Sequence, residues 1–476
     1  MIRPDFIQQA KRLLRDEYEA FAAALEAEPT VSIRINPRKT GAISLPDLLQ
    51  EEITPSGEIP WCNTGYYLPR RPFFTHDPLI HAGAYYVQEA SSMFLEQAIR
   101  AILTDPDIST NGITALDLCA APGGKSTHLL ALLPDDSLLV CNEIIRSRSQ
   151  TLAENIAKWG YANTIITQSD PQAFGRIPHF FDVIVADLPC SGEGMFRKNR
   201  DARNEWSKEQ VTFCASRQRR IIRDVWQALK PGGYLIYSTC TFNTEENEDN
   251  VAMLSAELGA DVIDIPIKPE WNISGARGNT LPAYRFFPHR TRGEGFFLTI
   301  LRKLPWLPVS GSKNLPSVGR LRIQNSVPSH IKNVLSNPEK FIFQNTKPKT
   351  KANEKRGTIY ETINAIPKIH ESAFMNLSEQ LNIISAGVML GELKGSDFVP
   401  SASLALSTEL NIHAFPVAEL SREQAIHYLK KELITLPPDT TKGHLLVTYR
   451  NIPLGFVKNT GQRANNLYPL EWRIRK

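Results

Sequence analysis

Two cysteines draw attention through their neighbours. Cys190 lies in DLPCSGEGMFRKN (187–199) and Cys240 in STCTFNTEENE (238–248), each at the end of a short apolar run, DVIVADLP (182–189) and GYLIYSTCT (233–241). A thiolate is a strong nucleophile, and neighbouring strand ends in an open parallel sheet face one crevice. A third segment, ALDLCAAPGGKSTHLL (115–130), runs from an apolar strand through a turn of small residues into a helix beginning near Gly124. Small residues let a ligand approach the backbone, and a helix N-terminus offers unpaired N–H groups.

Two ligands compete for that turn. A phosphate loop needs G-x-x-x-x-G-K-[ST], and Gly124-Lys125-Ser126 supplies its second half. The first glycine would fall at position 119, which is Cys119, and Pro122 lacks an N–H that a phosphate cradle uses. S-adenosylmethionine carries no phosphate; its ribose hydroxyls call for an acid at the end of the next strand. Glu143 stands there, 26 positions after Asp117 (143 − 117), Asp170 ends the third strand and Asp187 the fourth. Each could be a turn or helix cap; three acids at successive strand ends are harder to explain as caps, and the turn is read as a methyl-donor site.

A thiol beside a methyl donor suggests methylation at carbon 5 of a pyrimidine. That carbon is a poor nucleophile until a thiolate adds to carbon 6, so the route is covalent, and an acid such as Asp187 beside the ring nitrogen would assist it. The base must leave its stack to enter a cleft. Spacing alone leaves open whether Cys190 or Cys240 attacks. Cys119, Cys141 and Cys214 are expected as inert core thiols, and Cys62 beside Trp61 carries no signal. With no C-x-x-C pair, no metal site is expected.

The elements that must position these residues are legible as alternation. Strands are expected at 113–119, 137–143, 163–170, 182–189 and 233–241, with helices near 124–133, 146–159 and 208–229, the last stopped by Pro231-Gly232-Gly233. A helix opening at Thr244 and strands near 261–266 and 293–303 follow. Near-continuous hydrophobicity in the first five strands implies burial on both faces. The 476 residues suggest several domains; 42% hydrophobic and 22% charged residues exclude wholesale disorder and fibrous repeats. No apolar run reaches the roughly 18 residues of a membrane span, and the amphipathic N-terminus has no hydrophobic signal core. A cytoplasmic chain with reduced thiols is expected. Net charge is only +4 (54 − 50), but residues 305–360 hold ten basic against two acidic side chains. That stretch reads as a loose basic connector, either simply solvated or tethering RNA phosphates.

The quoted segments, with NEIIRSR (142–148), VSIRINPRKT (31–40), YYVQEASSM (85–93) and FFPHRTRGEGFF (286–297), resemble the RsmB/RsmF (NOL/NOP/Sun-type) RNA cytosine-5 methyltransferases. The likeness covers roughly residues 25–303, and the tail (391–406 and 443–469) is similar to the PUA-like module of the RsmF branch. The resemblance implies an α/β, Rossmann-like methyltransferase sheet with an N-terminal α+β domain and a C-terminal β-rich module. The expected boundaries are 1–110, 111–304, a basic linker at 305–375, and 376–476. It implies that Cys119, Ala120, Ala121, Pro122, Gly123, Gly124 and Lys125 line the S-adenosylmethionine site, with Glu143 on the ribose, Asp170 on the adenine, and Asp187 between cofactor and target base. It implies Cys240 as the nucleophile, and Cys190 in breakdown of the covalent adduct. Lys125 and Lys198 are candidates for substrate or phosphate contact. The expected substrate is small-subunit ribosomal RNA and the expected state a monomer. A transfer RNA substrate, or a non-catalytic ribosome-assembly factor, is the alternative; intact Cys190, Cys240, Asp187 and Glu143 argue against the latter.

Overall fold

The computed structural model describes residues 2–41, 54–109, 111–304, 323–324, 328, 331–346, 360–394 and 397–475. After the helices Pro4–Leu14 and Tyr18–Glu26, four antiparallel strands, β1 (Val31–Ile35), β2 (Gly57–Ile59), β3 (Cys62–Leu68) and β4 (Tyr85–Val87), form a sheet in the order β2-β3-β1-β4.

The central sheet follows the expected alternation. Its strands are β5 (Thr114–Asp117), β6 (Leu138–Asn142), β7 (Thr164–Thr167), β8 (Phe181–Asp187), β9 (Leu229–Thr239), β10 (Ala260–Ile263), β11 (Tyr284–Phe286) and β12 (Phe296–Lys303). The order β10-β12-β9-β8-β5-β6-β7 is parallel from β9 to β7 and antiparallel at β12 and β10, with β11 paired outside β12. The chain reverses direction of winding at β5, between β8 and β6, which opens the ligand crevice of such sheets at that point.

Successive residues of β8 alternate between two cores, as strands buried on both faces must. Val183 and Val185 join one with Leu129, Leu152 and Trp159, which also takes in Trp61, Met93 and Phe94 of the N-terminal unit. Ile184 and Ala186 join the other with Ile222, Val225 and Leu254. The helices concerned are Gly124–Leu132 and Arg146–Trp159 on the first face, Lys208–Trp226 and Glu248–Leu258 on the second.

Three expectations need correction. Pro231-Gly232-Gly233 does not precede a strand but lies inside β9, where the pairing with β8 jumps from Phe181↔Leu229 to Val183↔Tyr234; the bulge accommodates the missing N–H and the positive φ of Gly232. Much of the basic stretch 305–360 lies outside the described residues, but its described part is not a loose connector: β14 (Phe341–Thr346) pairs with β15 (Tyr360–Pro367) in a sheet of order β13-β14-β15-β17-β18. Here β13 is Ile323–Gln324, β17 Val388–Lys394 and β18 Asp397–Pro400. The residues expected as one β-rich module at 376–476 are divided among three sheets. β16 (Ile383–Ala386) leaves its neighbours and adds antiparallel to β7, extending the central sheet, whereas β19 (Val417–Glu419), β20 (Gly443–Tyr449), β21 (Ile452–Asn459) and β22 (Ala464–Asn466) form a fourth sheet. Among the described residues, no helix is long and apolar enough to cross a membrane.

Candidate active site

The turn after β5 is tied down from behind. Ala120 N–H donates to the Asn142 carbonyl (2.8 Å), Arg148 Nη2 donates to the Ala121 carbonyl (2.9 Å) and Asn155 Nδ2 to that of Pro122 (2.7 Å). Gly123 has φ +112, a conformation that a side chain would strain, and it opens the helix Gly124–Leu132 with no side-chain cap on the first-turn N–H groups. Arg34 reaches across from β1, fully buried and stacked on Trp159, to donate to Thr127 Oγ1 (2.6 Å) and Gln88 Oε1 (2.8 Å). The N-terminal unit thus anchors the helix that starts at this turn.

Four carboxylates stand at the ends of adjacent strands. Asp117 accepts from Ser126 Oγ (2.6 Å), while its other oxygen is buried without a partner; burial raises its pKa to about 7. Its place at the end of β5 was visible in the sequence, but nothing there marked it as an unsatisfied acid. Glu143, buried after β6, accepts from the Ile145 N–H (2.9 Å) and lies 3.3 Å from Arg148 Nη1. Asp170 after β7 is exposed and caps the short helix Pro171–Phe174 through the Gln172 N–H (3.0 Å). Asp187, at the end of β8, accepts from Ser238 Oγ (2.8 Å) and pairs with Lys125 Nζ (2.8 Å). Burial works against the Lys125 charge, but Asp187 more than offsets it and holds the ammonium above its usual range.

This donor set suits S-adenosylmethionine. It has an unsatisfied buried carboxylate oxygen beside a glycine turn, acids for hydroxyls and an amino group, and an uncapped helix end for a carboxylate, yet Cys119 and Pro122 occupy positions a phosphate cradle needs.

The two cysteines meet. Cys190 Sγ, three residues past the end of β8, and Cys240 Sγ, one past the end of β9, are 3.3 Å apart, and both residues are partly exposed. Hydrogen bonding with Cys240, burial and the charges of Cys240 and Glu246 push the Cys190 thiol well above the ordinary range, so it is protonated at neutral pH. The other thiols lie elsewhere. Cys62, Cys141 and Cys214 are buried, and burial raises each, Cys62 to about 12 and Cys214 to about 11. Cys119 is partly exposed in the turn and is likewise pushed up, by burial and then the Asp117 charge. Lys198 sits 3.8 Å from Glu294, which Arg197 already holds (2.8 and 2.9 Å). Cys62, Glu96 and His128 form the metal-competent cluster among the described residues, in the buried first core. There His128 Nδ1 has no acceptor to orient it as a ligand, and burial lowers its pKa to about 4. Glu96, held at about 2 against burial by its bonds to His128 and Arg100, is an anion already paired with Arg100 (2.8 Å), so the set reads as a hydrogen-bonded cluster around an ion pair.

A Rossmann-like sheet, a glycine turn and strand-end acids define a methyltransferase. Comparison with known proteins refines this. The chain matches the models for 16S rRNA methyltransferase RsmB/F at residues 107–302, for the N-terminal domain of 16S rRNA methyltransferase RsmF at 2–90, and for the methyltransferase RsmF PUA domain at 415–474. It is 32% identical to the ribosomal RNA small subunit methyltransferase F of Salmonella paratyphi A, over 95% of this chain and 92% of that one. Against the same protein of Erwinia tasmaniensis it is 30% identical, over 98% and 96%. A crystal structure of a methyltransferase homologue from Pyrococcus horikoshii superposes with a TM-score of 0.52 at 28% identity, covering 63% of this chain and 94% of that one. The chain belongs to the RsmB/F family of S-adenosylmethionine-dependent RNA cytosine-5 methyltransferases, in its RsmF branch.

Proposed function

We propose that this protein methylates carbon 5 of a cytosine in small-subunit ribosomal RNA, with Cys240 as nucleophile. The observation that carries the reading is the meeting of two thiols from adjacent strand ends, 3.3 Å apart, just beyond Asp187 and its β9 partner Ser238. The substrate follows from the near full-length relatives, which share the N-terminal and PUA segments as well as the catalytic sheet.

S-adenosylmethionine supplies the electrophilic methyl, held by the 119–125 turn, Glu143 and Asp170. Cys240, attacking as a thiolate, forms the Sγ–C6 bond, which shifts the ring's double-bond electrons onto carbon 5, where that pair would form the bond to the methyl. Asp187, fixed by Ser238 and Lys125, stabilises the ring protonated at nitrogen 3. Once carbon 5 has lost its proton to a base, the Sγ–C6 bond breaks and the electrons return to Cys240. Cys190, protonated at neutral pH, donates its S–H to the departing sulfur. Bisulfite mapping of total RNA from cells with and without the gene tests the whole reading. One ribosomal cytosine should lose its methyl in the deletion, and a variant carrying Cys240→Ala should fail to restore it. Restoration by Cys240→Ala removes the nucleophile, and a lost mark on transfer RNA instead changes the substrate.

A further inference from the structure

The two cysteine-bearing turns are joined by more than the sulfur contact. Glu193 belongs to the Cys190 turn, three residues beyond the thiol, yet its carboxylate accepts the backbone N–H groups of Phe242 and Asn243 in the Cys240 turn (2.7 and 2.9 Å). Glu246 belongs to the Cys240 turn, yet its carboxylate accepts the backbone N–H of Ser191 in the Cys190 turn (3.0 Å). Each acid therefore grips the backbone of the opposite turn. Both side chains are wholly buried.

The remaining lone pairs are taken by donors from elsewhere. Glu193 Oε1 receives Gln9 Nε2 (2.8 Å) and Trp206 Nε1 (2.9 Å), and Glu246 receives Gln218 Nε2 (2.8 Å). Asn243 Nδ2 lies between the two acids, 3.1 Å from Glu193 and 2.8 Å from Glu246, and can give one hydrogen to each. Beside them Ser191 Oγ and Thr241 Oγ1 are 2.9 Å apart, and Gly194 N–H donates to the Cys240 carbonyl (2.9 Å). Two buried carboxylates this close would be costly without such donors; burial raises the Glu246 pKa, with the Glu193 charge contributing. A pair of neutral side chains would fill the space at less cost, so the arrangement calls for a reason.

We propose that Glu193 and Glu246 are positioning residues for methyl transfer: a reciprocal pair of carboxylate clasps that locks the two turns together and fixes the separation of the Cys190 and Cys240 sulfurs. The inference rests on the functional reading above for why that separation matters. Cys240 must swing onto and off a base while Cys190 stays within donating reach, and beyond the paired length of β8 and β9 the backbone bond from Gly194 N–H to the Cys240 carbonyl is supplemented by these carboxylates. Neither acid touches the reacting atoms; both act through backbone.

The test reads sulfur proximity and chemistry separately in the full-length protein. Diamide, whose N=N bond takes up two electrons and two protons, closes a neighbouring thiol pair to a disulfide, and the rate of closure of Cys190 to Cys240 is followed by mass spectrometry. Every oxygen of Glu193 and Glu246 faces donors, so Glu193→Gln and Glu246→Gln each turn an amide NH2 against an N–H. In either variant closure should slow by about tenfold or more, since exchange rates follow access, while S-adenosylmethionine affinity stays within about twofold. Single-turnover methylation should fall by about 10²-fold, the cost of a misplacement near 1 Å. Closure at the wild-type rate overturns the proposal, as does methylation that survives slowed closure, or a loss of cofactor affinity that parallels the loss of methylation. Should both variants fail to fold, Thr241→Val, which removes the hydroxyl contacts to Ser191 and to the bridging Asn243 Nδ2 (3.0 Å) but neither carboxylate, decides: slower closure and slower methylation support the clasp, and no change in either overturns it. A wild-type protein that closes the pair but methylates no RNA cytosine would sink the functional reading, and the closure rates of the variants would still judge the clasp.

Discussion

At the scale of single residues, the contrast between two cysteines that meet and four that do not shows what placement adds to chemistry. Cys190 is protonated at neutral pH and lies against Cys240, so under the proposed mechanism Cys190→Ala removes the donor to the departing sulfur without touching the attacking one. That variant should accumulate a covalent protein–RNA adduct that survives a denaturing gel; normal turnover with no adduct would leave Cys190 without a role. Gly194 offers a second probe. A Cβ there would stand 2.5 Å from the Gly295 carbonyl and 2.8 Å from that of Cys240, both backbone, so the turn itself has to move. Gly194→Ala should lower methyl transfer by about 10²-fold while cofactor binding, on the far side of Asp187, is kept; calorimetry and single-turnover assays check the two halves. The cysteine pair, the glycine turn and the strand-end acids could all be read from the sequence, because each is a residue type at the end of an apolar run. Glu193 and Glu246 could not. Acids in polar stretches such as SGEG and NTEENE look solvated, and only the closure of two turns 50 residues apart buries them.

At the scale of elements, the first five strands of the central sheet were legible because burial on both faces leaves unbroken apolar runs, and their observed limits fall within a few residues of those expected. β16 was not: four residues, Ile-Ile-Ser-Ala, carry no alternation, and what makes them a strand is the open edge of β7. β14 and β15 were hidden by the Lys-rich run between them, which gives the whole stretch the composition of a connector. The N-terminal helix pair is held by an apolar cluster, Phe6, Leu14 and Phe21 against Trp206, Phe242 and Phe287, and in addition by charge. Glu17, at the join between Pro4–Leu14 and Tyr18–Glu26, accepts from Arg290, from Arg277 (3.0 Å) and from His289 Nε2 (3.0 Å) of the catalytic unit. The Arg290 guanidinium, against the opposing effect of burial, lowers its pKa from 4.5 to about 2. A carboxylate whose folded value is depressed stabilises the fold above its unfolded value and loses that stabilisation as pH falls towards the folded one. Docking of the helix pair should therefore weaken between about pH 4.5 and 2, and Glu17→Gln should remove that dependence. Hydrogen exchange of the 4–26 amides across this window measures it, and an unchanged profile in the variant would assign the acid loss to other groups.

At the scale of the whole molecule, the ends of the chain share a core. Ile33, Leu79 and Tyr85 of the N-terminal unit pack with Leu420, Tyr428, Leu454 and Val457 of the fourth sheet and the helix Arg422–Leu429 beside it, so the segment that matches the PUA model is also a wall of the N-terminal unit. The N-terminal unit in turn reaches the glycine turn through Arg34. A cut at 376, the boundary expected from composition, would also strip β16 from the edge of the catalytic sheet, and its effects could not be assigned to RNA binding alone. Removing residues 415–476 spares every strand of the central sheet but bares the apolar face around Leu79 and Tyr85. Each large side chain re-exposed costs about 1.5–3 kcal/mol. The truncated protein should melt roughly 5–10 °C lower, with faster exchange at the amides of 33–35 and 79–87. Because Arg34 lies on the disturbed strand, S-adenosylmethionine affinity should fall along with RNA affinity, not RNA affinity alone. A truncation that binds cofactor normally, melts as the intact protein does and loses only RNA would mean that the last sheet is an independent RNA-binding module and that the shared core is incidental.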